Sequence, residues 1–299
     1  MKKVVGIGGC VLDTVICMKE YPQEDKKMKA EQVFSTGGGP VGNALVAIAR
    51  LGINAEYLGA LSKDENGKRL ADEFEKYGVQ ADKAVFVPDT VAFTSYIVLS
   101  EKSGSRTCVY DRGSVPDDEK NVDYQEVENA DVLHLDGNCM RSAIAAAKYA
   151  RKRGVKVSLD AGGLYEGIEE LLPYVDILIP SEEFALKATG EKTAEEAMKK
   201  LFERYQPEVL VITQGSKGGI YFEKGECKPY QSYKVDCVDS NGAGDTFHGA
   251  FLVGYLNGLK IKENCLFASA VSAIKCTKAG VRNALPDMEE TMKFINARS

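Results

Sequence analysis

Asp239-Ser-Asn-Gly-Ala-Gly-Asp245-Thr-Phe-His-Gly-Ala-Phe251 decides how this chain is read. Two glycines and an alanine lead straight into an aspartate, and the run beyond it (Thr246, Phe247, Gly249, Ala250, Phe251, Leu252, Tyr255, Leu256) has the composition of a buried helix. Small residues let a phosphate approach the backbone, and the amides of a helix's first turn lack intrahelical partners and point toward an anion. A carboxylate set among those donors is poorly explained by packing, but it can take the proton of an attacking hydroxyl. That is the layout of a phosphoryl-transfer site.

Working outward, strand-like runs alternate with helix-like ones. Val4–Gly8, Ala55–Leu61, Val132–Leu135, Val155–Leu159, Ile177–Ile179 and Val209–Thr213 are short apolar runs suited to buried strands. Between and after them, helical spacing predicts helices over Pro40–Leu51, Asn66–Tyr77, Ala143–Arg153, Ser181–Ala188, Ala194–Tyr205, Thr246–Leu256, Lys262–Lys278 and Met288–Ala297. This alternation argues for an α/β fold with a mostly parallel sheet covered by helices on both faces. Two regions break it: the polar, β-like Asp13–Phe34, and a hairpin pairing Ala92–Val98 with Arg106–Tyr110 around Lys102–Ser105. They predict a small β-sheet lid, contributed by about residues 13–34 and 91–112, over the ligand edge of a single domain spanning 1–299.

Composition narrows the function classes. The 299 residues are 44% hydrophobic, ample for a core, and no run approaches the roughly 18 apolar residues that span a bilayer. Met1-Lys2-Lys3 runs directly into Val4–Gly8, which reads as a first strand rather than a signal peptide. The formal net charge of −6, without a basic block, argues against a nucleic-acid partner. Eight cysteines without a CxxC pair predict reduced, mostly buried thiols in a cytoplasmic protein. Two histidines, His134 and His248, are too few for a histidine-rich metal site.

Three further segments carry chemistry. Gly37-Gly38-Gly39-Pro40-Val41-Gly42-Asn43 allows close backbone approach and places Asn43 in a first helical turn; taken alone it also fits a tight turn. Asp13 lies just beyond the first strand, where open α/β sheets bind ligands and a carboxylate can accept two sugar hydroxyls. Thr213-Gln-Gly215-Ser-Lys-Gly218-Gly219 closes the Val209–Ile212 run; it can admit nucleotide phosphates or simply turn a hairpin.

In this order, Asp13, the glycine-rich stretch with Asn43, Thr213-x-Gly215-x-x-Gly218 and Gly242-Ala-Gly-Asp245 resemble the ribokinase (PfkB) family of sugar kinases over essentially the whole chain. Asp239–Phe251 looks like the family's C-terminal signature and Gly37–Gly52 like its N-terminal one. Val11-Leu-Asp-Thr-Val, Glu20–Asp25 and Leu133–Gly137 are similar to ketohexokinase, whereas Val211–Gly218, Phe247–Ala250 and Ile274–Thr277 are more similar to sulfofructose kinase. The resemblance implies a ribokinase-like three-layer sandwich and transfer of phosphate from ATP to a hydroxyl of a small carbohydrate, a ketose or ketose derivative. It implies Asp245 as general base, with Gly242, Ala243 and Gly244 forming an anion hole, so that positioning and charge stabilisation do most of the catalysis. Asp13, Gly38, Gly39 and Asn43 would hold the sugar with Asp136 as a further contact, and Thr213, Gly215 and Gly218 would line the ATP side. Mg2+ would bridge the phosphates. A monovalent cation such as K+ would sit near Asp239, Asn241 and the Lys275–Gly280 segment, Gly280 included. Many relatives dimerise through their lids, which implies a homodimer.

Departures from the family pattern bear on the metal and the substrate. The family's Asn-x-x-Glu is here Ser181-Glu182-Glu183-Phe184, leaving Glu183 to act through water. Basic residues of the lid (Lys26, Lys27, Lys29, Arg106, Arg112) are either solvated charges or readers of an anionic group. The second case would make the substrate a phosphorylated or sulfonated sugar; a nucleoside is another alternative. Two rivals from other classes are a non-catalytic nucleotide or sugar sensor, which would normally lack the base, and a dinucleotide-dependent dehydrogenase. Gly6-x-Gly8-Gly9 is incomplete for the latter, with Val11 where its last glycine belongs.

Overall fold

The structure, a computed structural model, describes residues 2–103 and 105–298. Gly104, at the predicted lid turn, lies outside the described residues, as do Met1 and Ser299.

Nine strands form the main sheet. From one edge to the other they are Glu226–Tyr230, Gly219–Glu223, Val209–Thr213, Ile177–Pro180, Lys156–Ala161, Val132–Leu135, Lys3–Ile7, Asn54–Tyr57 and Val79–Gln80. Neighbours pair in parallel except at one edge, where Gly219–Glu223 runs antiparallel to both Val209–Thr213 and Glu226–Tyr230. The core shows why these runs read as continuously apolar. Val4, Val132, Ile177, Val209 and Val211 pack into one cluster with Leu45, Phe74, Phe251 and Phe267. Their chain neighbours Val5, Leu133, Leu178, Leu210 and Ile212 pack into the other with Ala146, Phe184 and Leu201. Strand side chains alternate between faces, so a strand buried on both sides needs an apolar residue at every position. The result is the expected three-layer sandwich.

Pro40–Arg50, Glu65–Lys76, Ala243–Leu256 and Ile261–Cys276 cover the first face; Met140–Arg153, Glu182–Thr189 and Ala194–Tyr205 cover the second. The order of strands reverses beside Lys3–Ile7: the chain first builds toward Val79–Gln80, then returns to Val132–Leu135 and builds the other way. Ligands of open α/β sheets bind in the crevice at that reversal.

A second, four-stranded sheet is ordered Gln32–Gly38, Val11–Met18, Thr94–Ser100, Arg106–Asp111. The lid is thus longer at its first hairpin than the sequence pattern suggests, and Gly37 and Gly38 are paired strand residues rather than loop. Its register sorts the side chains. Asp13, Ser95, Tyr110, Thr36 and Arg106 share one face; Thr14, Ile16, Val33, Tyr96 and Val109 share the other. Val33, Tyr96 and Val109 are all exposed.

Two readings change. The run Ala55–Leu61 splits: Asn54–Tyr57 stays in the main sheet, while Ala60–Ser62 pairs with Val85–Val87 in a separate two-stranded sheet. The break falls at Gly59, beyond the last main-sheet contact, Leu58 N donating to Gly6 O at 2.9 Å. The Gly219–Tyr230 hairpin escapes the apolar-run pattern because its outer strand is half polar. Its signal was the two-residue loop Lys224-Gly225, both at positive φ (54° and 83°), the geometry favoured between twisted antiparallel strands.

Candidate functional site

The signature segment starts the helix Ala243–Leu256. Gly242, at φ 69°, turns the chain into the helix, and no side chain caps that end. Ala243 N reaches Ser240 O at 3.2 Å, whereas the amides of Gly244 and Asp245 have no protein acceptor among the described residues. A Cβ built on Gly244 would meet nothing within 4 Å. The helix therefore presents free donors to open space, which suits an anion.

Asp245 sits in this first turn, with Oδ2 accepting from Asn43 Nδ2 at 2.7 Å. Burial, then the negative charge of Asp160, push its pKa up to about 6; the Asn43 hydrogen bond and His248 work against the rise. A base poised there is charged at neutral pH yet takes a proton readily. One turn along the helix, His248 Nε2 lies 3.2 Å from Asp160 Oδ1. Although burial opposes it, the His248 charge and hydrogen bond hold the Asp160 carboxyl below its usual range. His134, packed beside His248 and buried, is driven down to about 3 and stays neutral.

Asn43 is oriented by a residue the sequence pattern does not flag. Arg282 is 1% exposed and donates through Nε to Asn43 Oδ1 (3.2 Å), through Nη1 to Glu73 Oε2 (3.0 Å) and through Nη2 to Gly38 O (3.0 Å). Its guanidinium also lies over the Phe74 ring. Glu73 in turn accepts from Gly37 N. A fully buried arginine needs such a complete set of partners. Only its distance along the chain hides it: nothing local marks residue 282 as a neighbour of residue 43.

On the lid, Asp13 is buried, and burial raises its pKa despite a 2.6 Å hydrogen bond from Ser95 Oγ. A Cβ on Gly38 would fall 2.0 Å from Asp13 Oδ2, and one on Gly39, at φ 89°, would fall 2.2 Å from Gly9 O. Glycine is the residue that fits both places. Asp136 stands at the strand-order reversal, but its oxygens are engaged by the amides of Gly9 (2.7 Å), Val41 (3.2 Å) and Asn138 (2.8 Å). In this structure it ties the Gly9 loop, the start of the Pro40–Arg50 helix and Asn138 together. Beside it lies a cavity of 260 Å³ lined by Gly8, Gly9, Phe93, Arg112 and Asn138 among others. The Arg112 guanidinium sits 5.7 Å from the Phe93 centroid and 6.0 Å from that of Tyr110.

On the opposite side, Thr213, Gly215 and Gly218 join Ala243, Gly244, Phe247 and Cys276 in lining a cleft of 510 Å³. Residues expected on the ATP side and in the anion hole thus line one cleft.

The metal candidates separate. Glu183 is exposed and pairs with Lys187 one turn along its helix (2.6 Å). Ser181 caps that helix through Phe184 N (3.1 Å), and Phe184 is buried core. Glu182, not Glu183, faces the nucleotide loop, accepting from Gln214 Nε2 at 2.7 Å. Among the described residues, no three His, Cys, Asp or Glu converge as metal ligands. Asn241 and Arg106, expected on a cation and a substrate respectively, bond each other at 2.5 Å. Lys26, Lys27 and Lys29 are exposed. All eight cysteines are unpaired, and no helix among the described residues is long and apolar enough to cross a membrane.

Comparison with known proteins gives the family and the fold. Residues 1–288 match the family described as pfkB family carbohydrate kinase. The chain belongs to that family. The chain is 28% identical to a ribokinase of Haemophilus influenzae, with 99% of each chain covered. A solved Arabidopsis thaliana ribokinase, complexed with ribose and ATP, superposes with a TM-score of 0.84 at 26% identity, covering 98% of both chains. An Escherichia coli protein assigned as a ribokinase II, in complex with ATP and Mg2+, gives 0.87 at 20% identity and covers 99% of this chain and 100% of its own. The pfkB fold of this chain therefore comes with the family's activity class, ATP-dependent phosphotransfer to a carbohydrate.

Proposed function

We propose that this pfkB kinase transfers the γ-phosphoryl group of ATP to a hydroxyl of a small ketose or ketose derivative. The observation that carries the reading is the Asn43-held Asp245 carboxylate in a helix turn whose amides at Gly244 and Asp245 are free. ATP enters the cleft from Thr213 to Gly218 with its phosphates toward Gly244. The sugar lies against Asp13, Gly38, Gly39 and Asn43, and its attacking hydroxyl gives its proton to Asp245. Free amides there stabilise the charge of the transferring group without reorganising. Mg2+ bound with ATP neutralises phosphate charge.

A second reading has one observation in its favour: Arg112 is exposed beside the sugar-side cavity, stacked on Phe93 and Tyr110, and among the described residues it is not paired to an acid. A phosphorylated or sulfonated sugar would use it as a counter-charge. The apolar outer face of the lid, with Val33, Tyr96 and Val109 exposed, supports a homodimer formed lid to lid, and the eight unpaired cysteines suit a cytoplasmic setting. Light scattering of the purified chain decides between monomer and dimer.

An ATP-consumption screen against ketoses, aldoses, sugar phosphates, sulfosugars and nucleosides tests the function. Turnover that depends on one of these classes is the expected result. Sugar-independent turnover, or none on any class, would favour a sensor.

A further inference from the structure

Lys275 is a charged residue that the catalytic reading does not use. It stands in the last turn of Ile261–Cys276, its side chain is 0% exposed, and its Nζ donates to the main-chain carbonyl of Asp239 at 2.7 Å. The Asp239 carboxylate lies 4.0 Å from the same ammonium. Its own oxygens are taken by main-chain amides, Oδ1 by Asn241 N at 2.8 Å and Oδ2 by Gly280 N at 2.9 Å.

The same helix end is stapled to the signature segment at other points. Ser272 Oγ donates to Ala243 O at 2.8 Å, and Cys276 O accepts from Val238 N and Asp239 N at 2.8 and 3.1 Å. Asp239, Asn241 and the Lys275–Gly280 segment are the oxygen donors on which the family resemblance places a monovalent cation. Here the Asp239 carbonyl already accepts an ammonium, the Asp239 carboxylate is spent on amides, and Asn241 Oδ1 is spent on Arg106. A free cation would meet a like charge where its ligands should be. The residues do not fit a bound K+.

We infer that the Lys275 ammonium is this kinase's built-in monovalent cation, a positioning residue that fixes the Asp239–Gly244 backbone and supplies positive charge beneath the anion hole. The inference rests on the kinase reading of that site. Burial works against the lysine's charge, but the carboxylates of Asp239 and Asp245 favour it, and both belong to the segment it serves. A buried ammonium needs partners to offset its desolvation, and here the carbonyl and carboxylate of Asp239 supply them. Because it acts through the Asp239 carbonyl, its loss should impair the transition state more than ground-state sugar binding.

The test titrates K+ against the full-length enzyme in a buffer whose only other monovalent cation is tetramethylammonium. Wild type should change by less than about 2-fold, whereas Lys275→Met should lose about 10²-fold in kcat, the scale of an oxyanion-stabilising group. K+ or NH4+ should restore much of that loss, with the sugar KM little changed. Anomalous diffraction from rubidium-soaked crystals reads the site without turnover, so it stands even if no sugar substrate is found. Rubidium should be absent at the Asp239 carbonyl in wild type and present in Lys275→Ala. Saturable K+ stimulation of wild type, or rubidium bound beside Lys275, would overturn the inference. So would a folded Lys275→Met enzyme, judged by circular dichroism, that keeps wild-type kcat without K+.

Discussion

Two helices begin at the ligand edge of the main sheet, and they begin differently. Glu182–Thr189 is closed: Ser181 caps it, Glu182 holds Gln214, Glu183 holds Lys187 and Phe184 is core. Ala243–Leu256 is open: a glycine in the left-handed region leads in, no side chain caps it, and a carboxylate stands ready in its first turn. A helix start satisfied by its own side chains contributes stability. One whose donors are left free contributes a binding site, provided the surrounding structure holds it in place. Here Asn43, Arg282, Ser272 and Lys275 do the holding.

Substitutions at the open start should break activity without breaking the fold. Asp245→Asn should lower kcat by about 10²-fold or more while circular dichroism and ATP affinity stay unchanged. A near-normal rate would remove Asp245 as the base. On the sugar side, Asp13→Ala should raise the sugar KM by roughly 10- to 100-fold, as expected for losing hydrogen bonds to a charged acceptor, and leave the ATP KM nearly untouched. Equal effects on both constants would take Asp13 out of the sugar site.

Asp245 also predicts the pH profile. Its protonated form cannot accept the hydroxyl proton, so kcat/KM should be flat above the pKa of about 6 and fall below it, roughly tenfold per pH unit. In Asp245→Asn that acid limb should vanish from the residual rate; a limb that persists unchanged belongs to another group. The closed start gives the smallest catalytic effect. Ser181→Ala should cost about 1 kcal/mol of stability in urea titration, the usual worth of a cap, and change kcat by less than about 2-fold. A large kcat loss there would mean that this helix start also serves the phosphates.

What sequence could reveal follows the same division. The open start was legible because its chemistry is local: glycines, alanine and aspartate stand within a few residues of one another. Double burial of the strands was equally legible, since it forces apolar residues at consecutive positions. Arg282, Glu73 and Lys275 were not, because a buried charge is recognisable only from the partners that folding brings to it. For Asp136 and Glu183, whether a carboxylate faces a ligand, backbone amides or solvent depends on neighbours from other strands and helices. The alternation of lid residues between cleft and outer face was likewise invisible until the strand register was known.

The Arg282–Asn43 contact has a consequence for how the protein comes into being. The bonds that hold Asn43 and Asp245 join residue 282 to residues 43 and 38, across 239 and 244 positions, and residue 43 to residue 245 across 202. During synthesis the lid and the first strands can form before Arg282, the residue that orients Asn43, has been made. Nascent chains that stop before Arg282 should carry both glycine-rich signatures yet leave Asn43 unoriented, so phosphotransfer should begin only once Arg282 is in place.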